Sequence, residues 1–392
     1  MRKTFLIIAL AAPLIQLFAQ STPDAVLKSV EQNNTTLKAL RHTADAQKLE
    51  NRTGIYLPGP EAGFDYLWSD PATKATRIDL SLTQSFDIPT ISGMRSRLSG
   101  NRNASVEWQY LAGRRDILLE AKEACIDVIY YNALIREWQI RLSHAAEIAE
   151  AGRKRLAAGD INRLEYNNIE MDVVNARGEL ARAEAERTAA LSQLKRLNGG
   201  IPVTLSDTAF PIVILPASFD AWFAEAEQKN PEMAIIRQEA EISRNLVSLS
   251  RAERYPVLSA GYMSEKVGRE QFQGITTGIS IPLWENKNHV ASAKAAALAA
   301  GERVADGRLQ LLNHYGTLYE RAGNLNRIAA DYREALGNLN SAALLKKALD
   351  AGQISVVEYL MQLSIYYNLI SLSLEAERDY QKAAAELMAS DL

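Results

Sequence analysis

A single cysteine, Cys125, stands in a chain of 392 residues. It excludes an intrachain disulfide framework and a cysteine metal cluster. It also excludes lipid attachment near residue 20, where no cysteine stands. Twelve prolines and 21 glycines are few for this length and gather in short stretches, leaving long intervals without a helix breaker. Aromatic residues are only 7% of the chain, so where they cluster they carry information. Neither charge sign dominates: 44 Lys+Arg against 47 Asp+Glu gives −3, a balance with no nucleic-acid footprint.

Long apolar runs are also missing, with one exception. Phe5 to Phe18 follows Arg2 and Lys3 and precedes Ala19-Gln20-Ser21. A membrane-spanning helix needs about 20 apolar residues, and this run is shorter and holds Pro13 and Gln16. Residues 1–20 therefore read as a secretory signal peptide. The mature chain is expected to be exported, with 42 Lys+Arg against 47 Asp+Glu, or −5. Catalytic constellations are lacking too. There is no glycine loop suited to phosphate and no nucleophile–base arrangement. His42, His144, His289 and His314 are scattered, and His144 with Glu147 reads as a surface pair, since it has no third ligand. No enzyme activity, cofactor or metal site is expected.

What the chain does contain is a duplication. Ala158-Gly159-Asp160-Ile161 with Leu164-Glu165-Tyr166 returns as Ala351-Gly352-Gln353-Ile354 with Val357-Glu358-Tyr359. Val30-Glu31-Gln32-Asn33-Asn34 is echoed by Ala226-Glu227-Gln228-Lys229-Asn230, and Glu184-Ala185-Glu186-Arg187 by Glu375-Ala376-Glu377-Arg378. Each half is thus one structural unit. The expected order is a first repeat over 21–200, a linker over 201–218 within the proline-bearing bridge Asn198 to Asp220, and a second repeat over 219–392. Each repeat reads as a helix, a strand pair, a very long helix, a turn (157–160 and 350–353) and another long helix.

The strand pairs, about 61–88 and about 257–284, follow a two-residue period. Ile78, Leu80 and Leu82 alternate with Arg77, Asp79, Ser81 and Thr83, and Phe64, Tyr66 and Trp68 with Gly63, Asp65 and Leu67. Leu258, Ala260 and Tyr262 alternate with Ser259 and Gly261, and Ile279, Ile281 and Leu283 with Gly278, Ser280 and Pro282. The hairpin loops are expected at Ser69 to Ala75 and Ser264 to Gly274. Such alternation is the signature of an outer-membrane barrel, and Phe64, Tyr66, Trp68, Phe86, Tyr262 and Trp284 fit an interfacial aromatic girdle. Four strands cannot close a barrel, since the smallest need about eight, so several subunits must share it.

The long helices carry heptads. Leu311, Leu318, Leu325, Tyr332 and Leu339 recur every seven residues, with Tyr315, Ala322, Ala329, Leu336 and Ala343 four places after each. Ala121, Val128, Ile135, Leu142 and Ala149, with Ala124, Tyr131, Trp138 and Ala145, do the same in the first half. These are coiled-coil seams. Helices from about Ile91 to Leu156 and from about Asn288 to Ala348 would each be roughly 90 to 100 Å long.

With the duplication, the paired hairpins, Pro282-Leu283-Trp284 leading into a helix and the Gly159 and Gly352 turns, the chain resembles the TolC family of outer-membrane efflux ducts over essentially the whole mature sequence. The resemblance implies a mainly α fold with a small β part. A homotrimer would close a 12-stranded barrel in the outer-membrane lipid of a Gram-negative-type cell and continue it as an α-helical tunnel in the periplasm. It implies as partners a periplasmic adaptor and an inner-membrane pump of the resistance-nodulation-division type, and no catalysis. In Arg155-Leu156-Ala157-Ala158-Gly159 the chain resembles the family's adaptor-docking motif. At Gly352 it departs from it, having Ala348 where the arginine would be. Glu165 and Glu358 stand where the family places acids lining the closed aperture; Asn168 and Met361 replace a second acid three residues on. The short chain, with little sequence after the last helix, resembles members that export heavy-metal cations. The alternative reading is an exported coiled-coil scaffold or adhesin without a pore, which accounts for the heptads but not for two aromatic hairpins. An adaptor would instead need barrel and lipoyl-like modules around one helical hairpin.

Overall fold

The structure, a computed structural model, describes residues 22–69, 76–86, 89–284, 286–338 and 341–392. The expected signal peptide, loop residues 70–75 and the heptad leucine Leu339 lie outside the described residues.

Each half opens with two helices where the sequence suggested one: α1 (Pro23–Asn33) and α2 (Thr35–Glu50), then α5 (Phe219–Lys229) and α6 (Pro231–Ala252). The break falls on the asparagine that ends the echoed motif. The Asn34 backbone N–H donates to the Val30 carbonyl and its side-chain amide to the Leu197 carbonyl, both at 2.8 Å. Asn230 N–H donates to the Ala226 carbonyl at 2.9 Å, its Oδ1 accepts from Met233 N–H at 2.9 Å, and its amide donates to the Tyr315 hydroxyl at 3.0 Å. Both side chains are buried. Both asparagines end a helix, Asn230 also caps the next one, and Pro231 follows at a position where a missing N–H costs nothing.

After each helix pair come two strands, β1 (Glu61–Trp68) and β2 (Thr76–Phe86) in the first half, and β3 (Val257–Val267) and β4 (Glu270–Ser280) in the second. The long helices follow: α3 (Pro89–Ala158) runs 70 residues without interruption, and α4 (Arg163–Leu197) returns from its turn. In the second half α7 (His289–Asn338) and α8 (Ser341–Asp350) flank two residues outside the description, and α9 (Val356–Leu387) returns. The result is a mainly helical chain with one small antiparallel sheet.

The chain divides into two compact units. One comprises residues 22–34, Glu120–Val213 and Leu325–Lys382. Its seams are small: Ile169, Ala176, Ala183, Ala190 and Leu197 recur every seven residues on α4, all buried, and Ala121, Ala124, Val128, Ile135 and Ala145 are buried on α3. Alanine at alternate seam positions lets helix axes approach closely. Cys125 is buried in this unit, and burial pushes its thiol up to about 12, which leaves it unreactive.

The other unit comprises Thr35–Leu119, Ile214–Asn324 and Ala383–Leu392. Phe223, Met233, Leu311, Tyr315, Leu318 and Leu387 form its main core, and a smaller cluster joins Ile91, Leu98, Leu249 and Ala252. Burying a side chain of this size contributes about 1.5–3 kcal/mol. The two repeats share one packing device here. A Cβ on Gly113 of α3 would lie 2.9 Å from Leu40 Cδ1, and one on Gly307 of α7 would lie 2.9 Å from Ile236 Cδ1. Each long helix therefore meets the preceding short one across a bare glycine.

Candidate functional site

All four strands belong to one sheet in the order β1-β2-β3-β4, so the central pair, β2 and β3, joins the two repeats. Heptads and hairpin patterns do not specify this pairing. The second hairpin is also tighter than expected. β3 continues to Val267 and β4 starts at Glu270, with Gly268 at φ +61° in the turn, so the proposed loop Ser264 to Gly274 is mostly strand. Strand β4 ends at Ser280, which leaves Ile281, Leu283 and Trp284 outside it. A glycine at positive φ permits the two-residue turn.

Register sorts the side chains. Phe64, Leu80, Leu82, Tyr262 and Ile275 share one face, with Tyr66, Ile78, Leu258 and Ile279. Phe64, Leu80, Leu82, Tyr262 and Ile275 are exposed, as are Trp68 at the hairpin end and Phe86 and Trp284 at the helix end. The girdle aromatics thus divide: Trp68 at one end, Phe86 and Trp284 at the other, and Phe64, Tyr66 and Tyr262 between them. On β3 this face turns polar at Ser264 and Lys266.

The opposite face is mostly small and charged, with Leu67, Met263, Val267 and Phe272 among its large apolar side chains. Gly63 lies across from Ser81, Gly278 from Ser259 and Gly261 from Thr83. A Cβ on Gly261 would lie 2.5 Å from the Leu82 carbonyl oxygen, and one on Gly63 2.6 Å from Ser81 Oγ. The glycines allow the sheet to curl toward this face. Asp65, Asp79 and Glu265 also line up directly across three strands. Like charges in such a row repel. Arg77 relieves them, reaching Asp79 at 2.9 Å and Glu265 at 3.1 Å.

The helical tips, both in the first unit, share one backbone design. Gly159 (φ +82°) donates to the Leu156 carbonyl at 3.1 Å and Asp160 to the Arg155 carbonyl at 2.9 Å; Gly352 (φ +67°) donates to Leu349 at 3.0 Å and Gln353 to Ala348 at 2.8 Å. These are Schellman caps, which require the left-handed glycine. Three residues on, each chain enters the next helix through a capping box. Asn162 Oδ1 accepts from Glu165 N–H at 2.9 Å, and Glu165 Oε2 accepts from Asn162 N–H at 3.1 Å. Ser355 Oγ accepts from Glu358 N–H at 3.1 Å, and Glu358 Oε2 accepts from Ser355 N–H at 2.9 Å. The two donors from Ser355 hold the Glu358 carboxyl below its ordinary range.

The repeated glutamates therefore have a local task, closing the N-terminus of α4 and of α9. Glycine followed three residues later by Asn162 or Ser355, and then by glutamate, is the sequence signal that could have revealed this task. The expected site residues are not equally placed. Glu165 lines a groove of about 430 Å³ with Val357 and Met361 of α9, whereas Glu358 is exposed on its own helix. Exposed Arg155 lines a second groove, of about 460 Å³, with Lys346, Asp350 and Tyr359 of the other tip. Leu156 is half-buried, and nothing lies within 4 Å of where a Cβ on Gly159 or Gly352 would sit. His144 is not paired with Glu147: its Nδ1 lies 2.5 Å from the Tyr367 hydroxyl, with the two rings stacked. Among the described residues no group of three His, Cys, Asp or Glu is placed to hold a metal. Among them, too, no helix is long and apolar enough to cross a membrane.

No family model matches the chain. It is 26% identical over 272 residues to the cobalt-zinc-cadmium resistance protein CzcC of Cupriavidus metallidurans, covering 67% of this chain and 62% of that one. It is 25% identical over 354 residues to the alkaline protease secretion protein AprF of Pseudomonas aeruginosa, covering 82% of this chain and 73% of that one. The fold is that of CusC, solved in a study of its transmembrane channel formation, with a TM-score of 0.79 at 14% identity over 95% of this chain and 92% of that one. It is likewise that of the Campylobacter jejuni CmeC outer-membrane channel, with a TM-score of 0.69 at 15% identity over 94% and 85%. The outer membrane, where CmeC forms its channel, is also the location expected for this chain from its sequence. The chain is thus similar in sequence to CzcC and AprF and shares the fold of the CusC and CmeC channels, in keeping with its resemblance to the TolC family of outer-membrane efflux ducts.

Proposed function

We propose that the chain is the outer-membrane duct of a tripartite efflux system and passively conducts what an inner-membrane pump and a periplasmic adaptor deliver. The observation that carries this reading is the sheet. β1 and β4 each pair on one side only, one face is mainly apolar and exposed, and the other is mostly small and charged. Open edges of this kind are a liability in water. Three copies would join them into twelve strands with the apolar face toward lipid, and the α-helical hairpins would prolong the barrel as a tunnel. Arg155, Leu156, Gly159 and Gly352 would present the tips to the adaptor, with the tip bearing Arg155 docking more strongly.

The pump is of the resistance-nodulation-division type and the cargo is heavy-metal cations, a reading supported by the likeness to a cobalt-zinc-cadmium resistance protein. Protein export is the second reading, favoured by the longer alignment with an alkaline protease secretion protein. Deleting the chain should sensitise cells to cobalt, zinc, cadmium, copper or silver. Unchanged metal tolerance with loss of a secreted protein would favour the second reading. Purified protein should need detergent, migrate as a trimer and conduct in planar bilayers. A water-soluble monomer would overturn the duct reading. Carboxylate rings favour cations, so Glu358→Lys should lower cation selectivity; an unchanged reversal potential would remove Glu358 from the pathway.

A further inference from the structure

Within the unit that holds the tips, α3, α4 and α9 enclose a cavity of about 330 Å³. Arg141 stands on its wall and is only 6% exposed. The Trp138 and Tyr367 rings lie against its guanidinium, with centroids 4.4 and 4.7 Å away. Nη2 donates to the Tyr367 carbonyl at 2.6 Å and to Ser371 Oγ at 3.0 Å, while the buried Nε has no partner. Among the described residues no carboxylate forms an ion pair with this cation. Glu137, one turn back on α3, acts on it only through space, and Asp172, the cavity's one carboxylate, is exposed and does not touch it.

A charge removed from water without a counter-charge is costly, and an unpaired buried arginine is rare for that reason. Among the described residues the other strongly buried charges follow the rule: Glu227 sits between Arg237 and Arg308, and Asp79 is held by Arg77. Arg141 alone of these lines open volume with no opposite charge against it. Asp172 and Asn175 mark the exposed side of the cavity, so a solute can enter from there.

We propose that this cavity binds a small carboxylate anion, which supplies the counter-charge that the chain does not provide to Arg141. Nη2 donates both its hydrogens to Tyr367 and Ser371 and Nε is buried, so Nη1 is the donor left to meet a carboxylate, and a charge-assisted bond is the strongest hydrogen bond open to it. The site is independent of the duct reading and would stand in a chain that conducts nothing.

Trp138 makes the binding visible. Full-length protein in detergent is titrated with acetate at constant ionic strength and pH, with chloride as the control and Trp138→Phe to assign the fluorescence signal. Acetate should give a saturable change that chloride does not. Arg141→Gln should raise the midpoint at least about tenfold. Because Arg141→Gln can disturb packing, Asn175→Asp provides a second arm at an exposed position: it places a carboxylate on the cavity wall and should also weaken acetate binding about tenfold. A linear response, an equal response to chloride, or a wild-type midpoint in Asn175→Asp would overturn the site.

Discussion

The two helical tips carry the same backbone in different dress. Both end a long helix in a Schellman cap on glycine and start the next with a capping box closed by glutamate. Around that shared frame the side chains part. Arg155 corresponds to Ala348, Asn168 to Met361 and buried Gly152 to half-buried Leu345. Tyr166 is half-exposed and bonds to Glu170, whereas Tyr359 is buried. Duplication preserved what makes the turn and changed what the turn presents. The difference separates residues needed by the chain itself from those open to a partner.

The largest effect should come from exchanging the packing residue. A Cβ at Gly152 would lie 2.8 Å from Ile169 Cδ1, in the seam between α3 and α4. Gly152→Leu, the side chain at the corresponding place in the second tip, should destabilise the first tip by about 2–3 kcal/mol through overpacking. Hydrogen exchange resolved by peptide would show faster opening of α3 and α4 near the turn, roughly thirtyfold or more. Leu345→Gly should cost the second tip only about 1 kcal/mol, the helix-propensity penalty. Equal losses at both tips would mean that the seams are packed alike.

Next come the shared parts, which should respond equally. Gly159→Ala and Gly352→Ala each force a side chain into the left-handed region, at about 1–2 kcal/mol. Asn162→Ala and Ser355→Ala each remove a cap acceptor, at about 1 kcal/mol. A smaller effect tests the unshared surface. Arg155→Ala should weaken adaptor binding roughly two- to fivefold, as loss of an exposed ion pair does, with tip protection unchanged. Ala348→Arg should not weaken it. No loss from either substitution would show that docking reads the backbone turn and not the arginine.

Much of this architecture was readable without coordinates because it is periodic. Seven-residue spacing marks Ile135 and Leu318 as seam residues, and two-residue spacing assigns Leu80 and Asp79 to opposite faces of a strand. Where the chain departs from a period, reading failed for a physical reason. Gln271 and Gln273 are polar on the otherwise apolar face of β4, so this stretch read as loop, although backbone pairing to Lys266 and Ser264 keeps it in the sheet. The pairing of β2 with β3 joins residues almost two hundred positions apart, and no local pattern encodes it. Arg141 was equally hidden: its position in a heptad names no partner, and only the fold brings the Tyr367 ring and carbonyl onto it. The glutamates at the turns were legible as a repeat but not as caps, because the acceptor three residues earlier is Asn162 in one repeat and Ser355 in the other, so the cap itself does not repeat as a sequence.

The smallest effect sharpens the comparison through pH. The Ser355 N–H and hydroxyl hold the Glu358 carboxyl below its ordinary value of 4.5. A carboxylate with a depressed folded-state value stabilises the fold above the unfolded value, and that contribution is lost as pH falls through the folded value. The start of α9 should therefore lose protection on acidification below about pH 4.5. Glu358→Gln cannot titrate, so it should show less protection than the wild type at neutral pH and a flatter profile on acidification. The same variant separates the two roles open to this residue. If the glutamate only caps α9, the acid-dependent loss of protection disappears and conductance keeps its cation preference. If three copies also face the pathway, selectivity falls in step with protection, and a capped but non-conducting Glu358 is ruled out.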